Sequence, residues 1–249
     1  MKQPTITIAR LLAAGSALLF AAGSALASPQ SSKQPLVLID PGHGGSNLGA
    51  AGVTGLHEKQ LSLAIAGRVA ERLRGRGIAV QLTRTADRTL TLRQRVAIAD
   101  RATADVFVSI HANASPTRSQ HGYETYVVTA RGLDVDGRAL RGEPMTPRPG
   151  VDPETALVLD DVERGAAQWE AAELATRMQH ALRDRRGPDG DRGVRQDAQH
   201  VLLGATMPAV LVEVGFIDHP IEGRQLADPA VQAQLADAIS EAIADQLAD

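Results

Sequence analysis

The 249-residue sequence predicts an α/β fold, a single domain with a mixed sheet of about six strands and helices on both faces. Three observations carry this. Short apolar runs bounded by turn residues alternate with segments of helical periodicity, as layered α/β domains require. Leu36–Asp40 and Ala209–Val214 are apolar almost throughout, the pattern of strands buried inside a fold. No internal repeat and no second globular unit is visible.

In chain order, Leu36-Val37-Leu38-Ile39-Asp40 reads as the first strand. The segment from about Glu58 to Arg76 places Leu61, Ile65, Val69 and Leu73 at i+4 steps, one apolar helix face, and Gly75 and Gly77 end it. Residues 78–83 give a second strand, 89–102 a helix, and 105–110 a third strand. Gly122 to Thr129 alternates and then runs apolar, a fourth strand. Residues 165–186 form another helix, followed by strands near His200–Leu203 and over Ala209–Val214. A last helix aligns Val231, Leu235, Ile239, Ile243 and Leu247.

Composition narrows the chemistry. With no cysteine, a disulfide scaffold, a Cys-ligated zinc site, an iron–sulfur cluster and a cysteine nucleophile are excluded. One Trp, two Tyr and three Phe cannot build an aromatic platform for single-stranded nucleic acid. The formal net charge of −3 offers no broad basic surface, so no nucleic-acid partner is expected.

The first 27 residues read as a signal peptide. Lys2 and Arg10 precede an apolar run, Leu11 to Ala22, too short to span a bilayer, and Ala25-Leu26-Ala27 is a small-x-small cleavage site. Removing them leaves 222 residues at a formal −5. No membrane span is expected in this mature chain, which is predicted to be exported, either to a periplasm or into the medium. Residues 28–35 form a polar linker, and the catalytic domain occupies 36–249. Within it, 129–164 breaks the strand–helix rhythm. It holds four Gly, four Pro, five Arg and eight acidic residues, too long for an ordinary connection. Its later part has helical features, with Asp152 as N-cap and Pro153 at the first helical position.

The chemistry concentrates at strand ends. Asp40-Pro41-Gly42-His43-Gly44-Gly45 closes the first strand and Ser109-Ile110-His111-Ala112-Asn113 the third. Ligands bind at such carboxyl ends in open α/β sheets. Glu58 opens the intervening helix, where a carboxylate also suits the helix dipole. Either histidine could be structural. Together, His43, Glu58 and His111 have the composition of a hydrolytic zinc site with one open position. Glu213 stands in an otherwise apolar strand, where an unpaired carboxylate is costly unless it reaches water or a metal. Beside a zinc site it would serve as general base and then acid. Ser109 lacks the Gly-x-Ser-x-Gly context of a nucleophile elbow.

At these residues a family becomes recognisable. The blocks Asp40-Pro41-Gly42-His43-Gly44-Gly45, Gly55-x-x-Glu58-Lys59, Leu82-Thr83-Arg84-Thr85-x-Asp87 and Leu92-x-x-Arg95 come first. Phe107 to Asn113, Gly122-Tyr123-Glu124-Thr125-Tyr126, Asp191-Arg192-Gly193-Val194 and Pro208 to Phe216 follow. In that order they resemble the motifs of the zinc-dependent N-acetylmuramoyl-L-alanine amidases, over about residues 36–247. The resemblance implies a peptidoglycan substrate, cut between the lactyl group of N-acetylmuramic acid and the L-alanine of the stem peptide. It implies Zn2+ on His43, Glu58 and His111, with Glu213 as the catalytic carboxylate. Two other functions use the same residues: a catalytically inactive peptidoglycan-binding protein, and a zinc peptidase acting within the stem peptide. The chain departs from the family at Asp218-His219, where an Asn is common. The 129–164 insertion sits where cell-division amidases carry a regulatory segment, so a protein activator acting on it is an expected partner. An autoinhibitory role for Glu154, Asp160, Asp161 or Glu163 is a further expectation.

Overall fold

The computed structural model describes residues 34–128, 150–197 and 201–248. The expected signal peptide, most of the linker and the 129–149 part of the insertion lie outside the described residues. Six strands form one sheet: β1 (Leu36–Pro41), β2 (Ala79–Leu82), β3 (Val106–Asn113), β4 (Tyr123–Val128), β5 (Asp191–Asp197) and β6 (Ala209–Phe216). Their spatial order is β2-β1-β3-β6-β4-β5. The first four in that order run parallel, β4 is antiparallel to β6, and β5 is parallel to β4.

Strand side chains alternate between two faces, and here the faces divide the labour. Val37 and Ile39 of β1, Val106, Val108 and Ile110 of β3, and Val210, Val212 and Val214 of β6 enter one large aliphatic core. Three helices cover it: α1 (Glu58–Gly75), α3 (Pro153–Arg186) and α5 (Pro229–Gln246), with α5 packed against both others. Leu61, Ile65, Val69 and Leu73 of α1 are each at most 1 % exposed, so the i+4 stripe is the buried one. Gly77 ends that turn at φ +79°, a backbone region open mainly to glycine. The opposite face buries a smaller cluster. It joins Leu38, Phe107, Ala209 and Leu211 to Ala99 of α2 (Leu92–Ala102) and to Val201 and Leu202.

Three expectations need correction. No strand forms near His200–Leu203: His200 lies outside the described residues, and residues 201–204 make turns that bury Val201 and Leu202 against the second face. The strand is instead Asp191–Asp197, which among the described residues lies at the sheet edge and pairs only with β4. Its polar sequence carries no apolar alternation, because an edge strand needs backbone pairing more than a buried face. The second helix starts at Leu92, not at 89, because Thr91 is its cap. Thr91 Oγ1 accepts the Gln94 N–H at 3.2 Å and Gln94 Oε1 accepts the Thr91 N–H at 2.9 Å. The helical features from Asp152 onward and the helix at 165–186 are one 34-residue helix, with the Thr155 N–H donated to Asp152 Oδ1 at 3.0 Å. A short helix, α4 (Glu222–Leu226), was not expected.

Candidate metal centre

The site begins with a carboxylate that never meets solvent. Asp40, on the α2 face of β1, is fully buried. It accepts hydrogen bonds from Arg95 Nη1 at 2.7 Å, from Ser109 Oγ at 2.8 Å and from the Thr83 hydroxyl. Arg95 also donates to the carbonyls of Pro41 (2.8 Å) and His43 (2.7 Å). Arg84, 1 % exposed, donates to the carbonyls of Pro41, Gly42 and Lys59 at 2.8–3.0 Å. Two buried guanidiniums therefore strap the loop after β1 through its carbonyl oxygens. Held in this way, His43 adopts φ +59°, a conformation costing a non-glycine residue about 1–3 kcal/mol and concentrated at functional sites. Gly44 follows at φ +124°, where a Cβ would come within 2.3 Å of the Arg88 carbonyl oxygen.

This strained turn brings His43 to the two other expected ligands. Glu58 is the first residue of α1, and His111 lies near the carboxyl end of β3. Glu58 Oε1 is 2.9 Å from His43 Nε2 and 2.8 Å from His111 Nδ1. One ligand atom from each of the three residues falls within 4.8 Å of the others. The imidazole rings stand edge to face with centroids 5.0 Å apart. The donors are oriented from behind: His43 Nδ1 pairs with Asn47 Oδ1 at 2.9 Å, and Glu58 accepts the backbone N–H groups of Ala50 (2.9 Å) and Ala112 (3.1 Å). Burial pushes the Glu58 carboxyl up, but hydrogen bonds from His111 and His43 outweigh it and hold the group well below the usual carboxylate range.

Two glycines are shaped to this cluster. A Cβ on Gly42 would lie 2.4 Å from the His111 ring, and one on Gly49 would lie 2.6 Å from Glu58 Oε2 and 2.8 Å from His43. Two imidazoles and one carboxylate form a donor set that suits zinc and leaves a coordination position open. The residues present therefore fit such an ion.

The next strand supplies the fourth expected residue. Glu213 is the sheet partner of His111, and Glu124 of β4 is the partner of Glu213 on its other side. All three share the α2 face. Glu213 Oε2 is buried with no hydrogen-bond partner among the described residues. Burial, reinforced by the charges of Glu58 and Glu124, pushes the Glu213 carboxyl well above its ordinary value. Glu124 is the opposite case. Although only 2 % exposed, it accepts from Asn113 Nδ2 (2.9 Å), the Tyr126 hydroxyl (3.1 Å), and Nε of Arg192 (3.0 Å) and Arg195 (3.4 Å). Two carboxylates lie side by side, one saturated with donors and one with an oxygen left open.

The four expected residues thus converge, with a cavity of about 610 Å³ alongside, lined by His43, His111, Leu90 to Arg93 and Val201 among others. Arg84 and Asn113 hold a turn and a carboxylate respectively, and His57 is the N-cap of α1. His121 and His219 pair with each other at 5.6 Å, and His180 is exposed on α3. Asp218, at the family departure, is buried and accepts the Ser115 N–H at 3.0 Å. Sequence reasoning assigned no role to Glu124, Arg192 or Arg195. Glu124 carried the same signal as Glu213, an acid within a short strand of otherwise apolar and β-branched residues.

Comparison with known proteins agrees along the whole described fold. The family model for N-acetylmuramoyl-L-alanine amidase matches residues 37–245. N-acetylmuramoyl-L-alanine amidase AmiA of Salmonella typhimurium is 33% identical over 216 residues, 84% of this chain and 74% of the relative. Amidase AmiC2 of Nostoc punctiforme superposes with a TM-score of 0.66 at 32% identity, covering 88% of this chain and 99% of that one. The catalytic domain of CwlV from Bacillus (Paenibacillus) polymyxa var. colistinus gives 0.66 at 31% identity, covering 86% and 98%. With the sheet, the strand-end cluster and these matches in agreement, the chain belongs to the N-acetylmuramoyl-L-alanine amidase family, enzymes of peptidoglycan.

Proposed function

We propose that this protein is a zinc-dependent amidase that hydrolyses the bond between the lactyl group of N-acetylmuramic acid and the L-alanine of the stem peptide. The observation that carries the reading is the placement of Glu213 directly across the sheet from His111, its free oxygen aimed at no protein donor. His43, Glu58 and His111 would hold the ion. What zinc supplies when bound is Lewis acidity, toward an amide carbonyl and toward a water. Glu213 does the proton work. Its carboxylate takes a proton from the attacking water and returns it to the departing alanine nitrogen, so that an amine and not an amide anion leaves. Asn47, Ala50 and Ala112 hold the ligand side chains in place through the hydrogen bonds described above. The Arg84 and Arg95 straps keep His43 turned inward.

Purified cell walls test the reading. Chelator-sensitive release of whole stem peptides from intact glycan strands is expected. Shortened peptides still attached to sugar would favour a peptidase, and no release would favour a binding protein. Residues 1–27 act as an export signal in this reading, with the mature chain working in the periplasm or outside the cell. N-terminal sequencing of the exported protein should begin at Ser28. Among the described residues no helix is long and apolar enough to cross a membrane. The 129–164 stretch is where a protein activator would act, a reading supported by the exposure of Leu159, Val162 and Trp169 on α3. Deleting residues 129–164, which carry Glu154, Asp160, Asp161 and Glu163, should raise hydrolysis by the purified enzyme; an unchanged or lower rate counts against an autoinhibitory role.

A further inference from the structure

The α2 face of the sheet carries a graded row of side chains across four adjacent strands: His111 on β3, Glu213 on β6, Glu124 on β4, then Arg192 and Arg195 on β5. Both arginines approach the same oxygen, Glu124 Oε2, at 3.0 and 3.4 Å. Two guanidiniums thus share one buried carboxylate. The two arginines are not equivalent. Arg192 is held on three sides, by Glu124, by Gln120 Oε1 at 3.2 Å and by the Phe216 ring 5.0 Å away. Arg195 has a half-exposed side chain (50 %) and donates to Glu124 through Nε. Its two Nη groups form a planar fork suited to a carboxylate.

We propose that Arg195, backed by Arg192, binds the free α-carboxylate of the second residue of the stem peptide, so that the peptide runs from Glu213 toward β5. This rests on the amidase reading above. The spacing fits. Arg195 reaches back to Glu124, one strand from Glu213, and neighbouring strands lie about 4.8 Å apart. The carboxylate of an isoglutamate second residue lies about 5–7 Å from the scissile nitrogen, given about 3.8 Å between successive Cα atoms. Glu124 does not repel it, because its own charge is already taken up by Arg192, Asn113 and Tyr126. The cavity on the other flank of His111, lined by Leu90, Leu92 and Val201 and by no described residue of β4 or β5, is left for the sugar.

The test compares two substrates that differ in one group, N-acetylmuramoyl-L-alanyl-D-isoglutamate and its isoglutamine counterpart, with the zinc-loaded enzyme. The wild type should prefer the free acid by about tenfold or more in kcat/KM, as a charged hydrogen-bonded pair provides. The preference should appear in KM and not in kcat. Arg195→Ala should raise KM for the acid about tenfold more than for the amide, abolishing the preference. Arg195→Lys should retain part of it, and Arg195→Glu should invert it. Equal losses on both substrates, or a preference that survives Arg195→Ala but disappears in Arg93→Ala, would overturn the proposal. Failure of the wild type to cleave either substrate, or muramyl-peptide cell walls, would overturn the amidase reading and this one with it.

Discussion

On the face covered by α1, α3 and α5, the central strands present valine and isoleucine to a continuous aliphatic core. On the opposite face the same strands present Leu38 then Asp40, Phe107 then Ser109 and His111, Leu211 then Glu213. Each strand is apolar at its start on that side and ionisable at its carboxyl end. The alternation of a strand thus lets one segment contribute to stability and chemistry without compromise. The aliphatic face gains from burial alone, at about 25 cal/mol per Å² of apolar surface. The other face carries burdens: a buried ion pair, a left-handed histidine and a carboxylate oxygen with no partner. Such features are tolerated when the surrounding structure is strong enough to hold them.

The division can be broken most sharply at Glu213. Glu213→Gln should lower kcat by about 10²–10⁴-fold, the usual contribution of a positioned acid–base group, with bound zinc and Tm as in the parent. Activity within threefold of the parent would take Glu213 out of the chemistry. Next comes Asp40→Ala, which strips Arg95 of its buried partner. A loss of about 3–5 kcal/mol in urea unfolding is expected, together with weakened zinc retention, because the strap on His43 depends on Arg95. Leu174→Ala cuts into the aliphatic face, where Leu174 is fully buried. It should cost about 2–5 kcal/mol and leave zinc content and the kcat of the folded fraction unchanged. Should Leu174→Ala shed zinc as Asp40→Ala does, the two faces are not independent. The smallest effect is expected at Trp169, 78 % exposed on α3. Trp169→Ala should change stability by no more than about 0.5 kcal/mol, although it removes the largest side chain in the molecule.

The two faces were not equally legible in the sequence. The aliphatic face declared itself through the i+4 stripe of α1 and α5 and the apolar runs of β1 and β6, since burial on one side of a regular element imposes its period on the sequence. Of the polar face, His43, Glu58, His111 and Glu213 were readable because each is an ionisable residue at a strand end or helix start. Glu124 and its arginines were not. Their meaning depends on β4 lying beside β6 and β5 beside β4, an order that joins residues about 70–90 apart through tertiary pairing with no local trace. The cap at Thr91, by contrast, was fully local: Thr91 and Gln94 are three residues apart, and recognising that pair corrects the start of α2. The reason for glycine at positions 42 and 49, that a Cβ would strike the His111 ring or the Glu58 carboxylate, is visible only once the fold brings those side chains alongside.

The polar edge of the sheet has a consequence of a different kind. Among the described residues, β5 has no strand partner along its outer side, and such an edge is the template on which a second molecule could add a strand and begin to aggregate. Its sequence, Asp-Arg-Gly-Val-Arg-Gln-Asp, places four charges in seven residues and a glycine at φ +78° in that position. A hydrophobic strand there would have been easier to recognise and more dangerous to the cell. The property that hid this strand from a reading of apolar periodicity is the one that makes it a poor template for strand addition.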